Sequence, residues 1–102
     1  MSYSYKFHPL TKKDYNEAYE WYEDKQKGLG ERFLKAVRKR LEDIALHPEV
    51  YGSKSNRKFR EATLDVFPYT VVYKINKLKK EIYISSIHHA KKHPAKKYRH
   101  TT

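Results

Sequence analysis

The chain has 102 residues, a formal net charge of +11, 15% aromatic residues and no cysteine. This length predicts a single domain spanning residues 1–102 with one small core. The missing cysteines exclude disulfides and thiolate metal sites. No apolar signal segment and no run of about 20 apolar residues is present, so we expect a cytoplasmic protein without a membrane span.

The positive charge is concentrated in the second half of the sequence. Residues 11–47 carry nine Lys or Arg against eight Asp or Glu, whereas residues 48–102 carry thirteen against four. Residues 90–102 form a short basic C-terminal tail. Such an asymmetry is typical of a face that binds a polyanion or an acidic protein segment.

The first two predicted elements are a strand and a helix. Aromatic and polar residues alternate over residues 3–7, which predicts a strand that ends before Pro9. Thr11 is suited as the N-cap of the following helix, with Asp14 three residues later as in a capping box. Apolar residues of this helix recur at helical spacing and form one stripe: Tyr15, Ala18, Tyr19 and Tyr22.

A second helix and three strands complete the predicted elements. We expect Gly28 and Gly30 to break the first helix and Pro48 to end the second. The stripe of the second helix is long and apolar: Phe33, Leu34, Val37, Leu41, Ile44 and Ala45. The segments 59–66, 70–75 and 81–87 then read as strands joined by a Phe-Pro-Tyr turn and a basic turn.

These elements predict an α+β fold. An N-terminal strand is followed by a two-helix antiparallel hairpin and then by a three-stranded antiparallel meander. The amphipathic helices would cover one face of the sheet, which we expect to be antiparallel with about four strands.

The segment HHAKKHP at residues 88–94 has three possible roles: a metal site, an acid–base site or a solvated basic tail. Zinc sites gather three or four ligands with supporting acceptors, but here no carboxylate is near and two lysines would repel a cation. We therefore expect neither a metal nor another cofactor. Cleavage of RNA needs an acid, a base and cations on the phosphoryl oxygens, and histidine, lysine and arginine supply these groups.

The order of the strands affects which of these groups could meet. Arg60 on the first meander strand could lie across the sheet from the histidines, with Lys58 at the same parity. Adjacent His88 and His89 should point to opposite faces, with His89 on the side of Ile87, and a bulge at residues 85–86 would reset this phase. A binding role without catalysis also remains open, because aromatic residues alternate with the basic ones: Tyr51, Phe59, Tyr69, Tyr73, Tyr83 and Tyr98.

The ordered set of motifs resembles the RelE/ParE superfamily of bacterial toxins over nearly the whole chain. The pattern is an Arg on a strand, Phe-Pro-Tyr, an apolar-x-Tyr strand, Ile-x-His, a basic residue with Pro, and finally an aromatic residue with Arg. These positions are Arg60, Phe67-Pro68-Tyr69, Val71, Tyr73, Ile87, His89, Lys92, Pro94, Tyr98 and Arg99. Two departures are Lys92, where members often carry Arg, and the lack of Trp near Lys97 or Tyr98.

The resemblance implies the toxin of a type II toxin–antitoxin system, a class linked to plasmid stabilisation, with a cognate acidic antitoxin as partner. RelE-like members cleave ribosome-bound mRNA, whereas ParE-like members inhibit DNA gyrase without being nucleases. For a metal-independent endoribonuclease, the catalytic residues would be Arg60, His89, Lys92 and Tyr98. Residues expected to contact RNA or another target are Lys58, Tyr73, His88, Lys91, His93, Lys96, Lys97 and Arg99. A basic nucleic-acid-binding module without toxicity is a third possibility.

Overall fold

The computed structural model describes residues 3–52, 58–91 and 98–99. Within these residues the elements are β1 (Ser4–Phe7), α1 (Thr11–Lys25), α2 (Leu29–Leu46), β2 (Arg60–Thr63), β3 (Tyr69–Asn76) and β4 (Glu81–His89). The predicted α+β fold, with its strand, helical hairpin and three-stranded meander, is confirmed. No helix in this part of the chain is both long and apolar enough to cross a membrane.

The four strands form one sheet in the order β1-β4-β3-β2. The meander β2-β3-β4 is antiparallel as predicted, but β1 runs parallel to β4, so the expectation of a wholly antiparallel sheet is wrong at this edge. The cause is the helical hairpin, which returns the chain to the end of the sheet where β1 begins. There the Tyr3 N–H donates to the Ala45 carbonyl at 3.1 Å. β2 therefore starts in the direction of β1, and two antiparallel turns later β4 has that direction again.

Both helices pack on one face of the sheet and bury their apolar stripes there. Tyr22 and Phe33 lie at the centre of an aromatic cluster, with ring centroids 5.4 Å apart. Phe67 and Tyr69, from the Phe-Pro-Tyr turn, contact the same two rings. The sheet supplies the other wall of the core, through Ala62, Val71, Tyr73, Ile82, Ile84 and Ile87.

The connection between the helices differs from the prediction at one of its two glycines. Gly28 precedes α2 and has a φ of 88°, in the left-handed region. Glycine adopts this backbone conformation at little energetic cost because it has no Cβ. Gly30, in contrast, lies inside α2 and does not break a helix. A Cβ at this position would be 2.8 Å from the ring and the carbonyl oxygen of Tyr19. Gly30 therefore allows the close approach of α1 and α2.

The predicted capping box at the start of α1 does not form. Leu10 occupies the N-cap position without a side-chain cap, and Thr11 is already helical. The Thr11 hydroxyl is buried and donates instead to the Ile84 carbonyl at 3.4 Å. The Asp14 carboxylate is also used across the fold, where it accepts hydrogen bonds from Ile87 and Arg99. Tertiary contacts thus replace the local cap.

β4 contains the bulge that the sequence allowed. Val72 pairs with Ser86, but the next residue, Tyr73, pairs with Ile84, which leaves Ser85 as the extra residue of β4. Isoleucines on both sides of the bulge, Ile84 and Ile87, consequently face the same helical core.

Candidate functional site

A cleft of about 590 Å³ opens between α1, the Phe-Pro-Tyr turn and the end of β4. We call it the helix-side cleft; its lining includes Asp14, Glu17, Trp21, Tyr69, His89 and Arg99. The indole of Trp21 is 56% exposed, and the Lys25 ammonium lies 4.9 Å from its centroid. The cleft therefore combines two carboxylates, a guanidinium, two histidine residues (His88 as well as His89) and an exposed aromatic side chain.

His89 enters this cleft because it shares the parity of Ile87, and the bulge at Ser85 brings both residues to the helical side of the sheet, where Ile84 also lies. Its ring packs edge-on against Tyr69, with centroids 4.9 Å apart. Its Nδ1 accepts the Lys91 N–H at 3.0 Å, so the neutral imidazole carries its proton on Nε2. Burial, with nearby Tyr22 and Glu17, raises the pKa of Tyr69, which is therefore a neutral phenol at physiological pH.

Arg99 lies in the cleft but its charge is used within the fold. Its guanidinium donates to both Asp14 oxygens, at 2.7 and 3.0 Å, and to the Ser85 carbonyl at 3.3 Å. The Arg99 N–H also donates to the Ser85 hydroxyl at 2.6 Å. The side chains of Arg99 and Asp14 are only 20% and 16% exposed. This arrangement ties residue 99 to α1 and to the bulge.

Arg60 does not lie across the sheet from His89. Its guanidinium donates to the carbonyls of Tyr51, at 2.7 Å, and Glu49, at 3.3 Å. Arg60 pairs with Tyr73 of β3, whereas His89 pairs with Tyr69, four residues away along the same strand. β2 and β4 lie on either side of β3. With a rise of ~3.3 Å per residue and a strand spacing of ~4.8 Å, the backbones of Arg60 and His89 are therefore about 16 Å apart.

Tyr98 is placed on the other face of the sheet. Its ring packs on Phe59 with centroids 5.3 Å apart, and its hydroxyl donates to the Glu61 carboxylate. Glu61 alternates with Ala62, which faces the helical core. The structure therefore brings together no two of Arg60, His89 and Tyr98. The fourth residue of the catalytic prediction, Lys92, lies outside the described residues.

The residues predicted to contact a target have mixed surroundings. Tyr73 is fully buried and donates to the Pro48 carbonyl at 2.6 Å, so its ring is not available to a ligand. His88 is 8% exposed, and its parity after the bulge is opposite to that of His89. Lys58 and Lys91 are exposed. His93, Lys96 and Lys97 lie outside the described residues.

A second concave surface, of about 660 Å³, lies on the sheet face away from the helices, near the β3–β4 turn. We call it the basic groove; its charged lining residues are Lys6, Lys58, Lys74, Lys77, Lys79 and Glu81. The Lys74 ammonium lies 5.3 Å from the Phe59 centroid and 5.4 Å from the Tyr83 centroid. Of these five lysines, only Lys58 is among the predicted site residues; the sequence predicts a basic turn at Lys77 and Lys79 but assigns it no site.

Metal-ligating side chains are not clustered in the part of the chain that the structure describes. No group of three or more His, Asp or Glu residues there is close enough to hold a metal ion.

Comparison with solved structures shows the same fold in bacterial toxins. The intact Escherichia coli RelBE toxin–antitoxin complex contains a chain with a TM-score of 0.68 and 16% identity, covering 89% of this chain and 100% of that one. A chain of the RelBE2 toxin–antitoxin complex of Mycobacterium tuberculosis has a TM-score of 0.64 and 19% identity, and the match covers 87% of this chain and 99% of that one. A chain of the chromosomal ParDE system of Pseudomonas aeruginosa has a TM-score of 0.64 and 24% identity, and the match covers 88% of this chain and 98% of that one. These likenesses show a shared fold.

The sequence itself matches a family model over most of its length. Comparison with curated protein sequences gives no match. The model that matches residues 5–94 describes the ParE toxin of the type II toxin–antitoxin system parDE. The chain therefore belongs to the ParE toxin family and is a type II toxin of the RelE/ParE superfamily.

Proposed function

We propose that this toxin inhibits growth by binding DNA gyrase and does not cut mRNA. The observation that carries the proposal is the separation of Arg60 from His89. Acid–base cleavage of RNA needs an acid and a base within hydrogen-bond reach of the reacting oxygens, and a cation on the phosphoryl group. Arg60 instead supports the backbone carbonyls of Tyr51 and Glu49.

The surroundings of His89 also disfavour a phosphodiester. In the cleft that holds its imidazole, the charge of Asp14 is balanced by Arg99, and the other carboxylate of the lining, Glu17, repels a phosphate. The arginine in that cleft, Arg99, already makes a bidentate ion pair with Asp14. A binding role for the cleft fits these groups better than a catalytic one. The match to the ParE family model supports the same choice, because the ParE-like members implied by the sequence resemblance inhibit gyrase.

A cognate antitoxin with an acidic segment is the partner that we propose for this toxin. Two of the solved relatives are toxin–antitoxin complexes. The excess of thirteen basic over four acidic residues in the second half of this chain offers such a segment a complementary charge.

The test compares His89→Ala with His47→Ala, which removes an exposed imidazole beyond the end of α2. Purified protein would be added to a gyrase supercoiling reaction and, separately, to cell-free translation with mRNA length as the readout. We expect inhibition of supercoiling, intact mRNA, and His89→Ala within about threefold of both wild type and His47→Ala.

A ribosome-dependent nuclease would give the opposite result. mRNA would be cut during translation, and His89→Ala would lower the cleavage rate by roughly 10²–10⁴-fold, the usual contribution of a general acid or base. His47→Ala would leave that rate unchanged. This pattern would overturn the proposal.

A further inference from the structure

The basic groove is a candidate binding site that lies apart from the helix-side cleft. It is near the β3–β4 turn, whereas His89 lies at the opposite end of β4. We propose that this groove binds the phosphate backbone of a nucleic-acid duplex. The inference does not depend on gyrase as the target, because the groove is assigned from its own charges and ring positions.

The sheet register places cations on both sides of one aromatic ring. Lys6 of β1 and Lys74 of β3 both pair with Tyr83 of β4. Their backbones are two strand spacings apart, or about 10 Å. All three side chains alternate with residues that face the helices, so they project from the other face of the sheet. This arrangement makes the floor of the groove positively charged.

The rim adds further positive charge. Lys58 and Lys79 of the rim, like Lys6 of the floor, are exposed and have no carboxylate partner within the described part of the chain. Lys77 is paired with Glu49 at 3.4 Å, and Glu81 is the one acid in the groove lining. Four of the five lysines thus remain able to contact phosphates, and lysine is a strongly hydrated point charge suited to such contacts.

The aromatic rings of the groove indicate a duplex and not a single strand. Proteins that bind single strands stack bases on exposed ring faces. Here Phe59 and Tyr83 are 2% and 7% exposed, and Lys74 lies over both rings. The groove therefore offers charge without a stacking surface, which matches contacts to a paired backbone.

The composition of the groove also favours nucleic acid over an acidic protein segment. The central parts of protein–protein interfaces are depleted in lysine and rely on buried aromatic or aliphatic anchors. Interfaces with DNA are more polar and much more positively charged. Five lysines line this groove, and its one fully exposed apolar side chain is Leu78, at the tip of the turn.

The test uses two triple variants that lower the net charge by the same amount. The groove variant is K6Q/K58Q/K79Q, and the control is K12Q/K35Q/K39Q, which changes exposed lysines of α1 and α2. Fluorescence anisotropy of a 20-base-pair DNA duplex and a matched RNA duplex would be measured between 50 and 200 mM salt, without gyrase. Thermal unfolding of each variant would verify that it is folded.

With about four phosphate contacts, the wild-type affinity for DNA should fall roughly 10²-fold over this salt range. The groove variant should bind more than tenfold more weakly at 100 mM salt and lose about three units of the log–log salt slope, whereas the control keeps both. Preferential binding of either the DNA or the RNA duplex would support the site and identify its source.

Three results would overturn the proposal. Equal weakening by the groove and control variants would show that binding follows the diffuse charge of the chain. Tighter binding of single-stranded RNA than of either duplex would indicate a stacking surface elsewhere. Equal affinity for an acidic peptide of the same charge would assign the groove to a protein segment. Because none of these assays contains gyrase, they fail or succeed separately from the supercoiling test.

Discussion

Breaking the ion pair between Asp14 and Arg99 should strongly destabilise this toxin, because removing either partner leaves the other charge largely buried without its counter-ion. Asp14 accepts two hydrogen bonds from the guanidinium and one from the Ile87 N–H, at 3.2 Å. Hydrogen bonds to charged groups contribute about 1.5–3 kcal/mol, and removing one partner of a buried pair costs about 3–5 kcal/mol. Since both side chains retain some exposure, we expect Asp14→Ala to lower the free energy of unfolding by about 3 kcal/mol.

A double-mutant cycle separates the pair from its surroundings. Urea denaturation of the wild type, Asp14→Ala, Arg99→Ala and the double variant should give a coupling energy of at least about 1.5 kcal/mol. The pair Lys13–Glu17 is the control, because its atoms are 3.9 Å apart and its side chains are 73% and 54% exposed. Its coupling should stay below about 0.5 kcal/mol. A coupling for Asp14–Arg99 no larger than that of the control would refute the argument.

Two further substitutions test the packing of the core. Replacing a helical glycine with alanine usually stabilises a protein by up to about 1 kcal/mol, but Gly30→Ala should destabilise it by about 1–2 kcal/mol, because the added Cβ meets Tyr19. Gly52→Ala, where no atom lies within 4 Å, is the control, and a stabilising Gly30→Ala in chemical denaturation would contradict the model of close helix approach. Burial raises the pKa of the Tyr73 hydroxyl in the folded state. Above the ordinary tyrosine pKa of ~10, the unfolded chain therefore releases this proton while the folded protein keeps it. The free energy of unfolding is therefore unaffected by this group below pH ~10 and falls above it, by up to about 1.4 kcal/mol per pH unit. Tyr73→Phe removes the hydrogen bond to the Pro48 carbonyl, so its free energy of unfolding at neutral pH should be lower by about 1 kcal/mol. In denaturation curves measured over a pH series, its free energy of unfolding should fall less steeply at alkaline pH than that of the wild type. An unchanged decline would show that the other tyrosines account for it.

Local patterns predicted the helices and strands well because each pattern has the period of the element that it forms. The stripes of α1 and α2 recur at helical spacing, and the buried positions Ala18, Tyr22, Phe33 and Val37 follow them. The capping box at Thr11 is the counterexample. The Thr11 hydroxyl could have capped α1 locally, but in the structure it donates to the buried Ile84 carbonyl of β4. A hydrogen-bond acceptor 73 residues away cannot be predicted from the residues next to Thr11.

The candidate site was less predictable because it depends on pairings between distant residues. The sequence indicated that Arg60, His89 and Arg99 could serve a phosphodiester. In the structure, Arg60 supports backbone carbonyls and Arg99 is neutralised by Asp14, 85 residues earlier. The lysines of the basic groove come from β1, β3, the β3–β4 turn and the segment before β2, so no single stretch of sequence showed them as one surface.

The amino-acid sequence by itself determined the type and order of the elements, the charge asymmetry and the resemblance to the toxin superfamily. All three depend on composition or on spacing along the chain. The tertiary structure decided the direction of β1, the phase of His88 and His89, and which cations remain available. These depend on how the helical hairpin returns the chain and on one extra residue at Ser85. The physical reason is that a strand's partner and an arginine's counter-ion are set by the folded sheet, where residues far apart in sequence become neighbours.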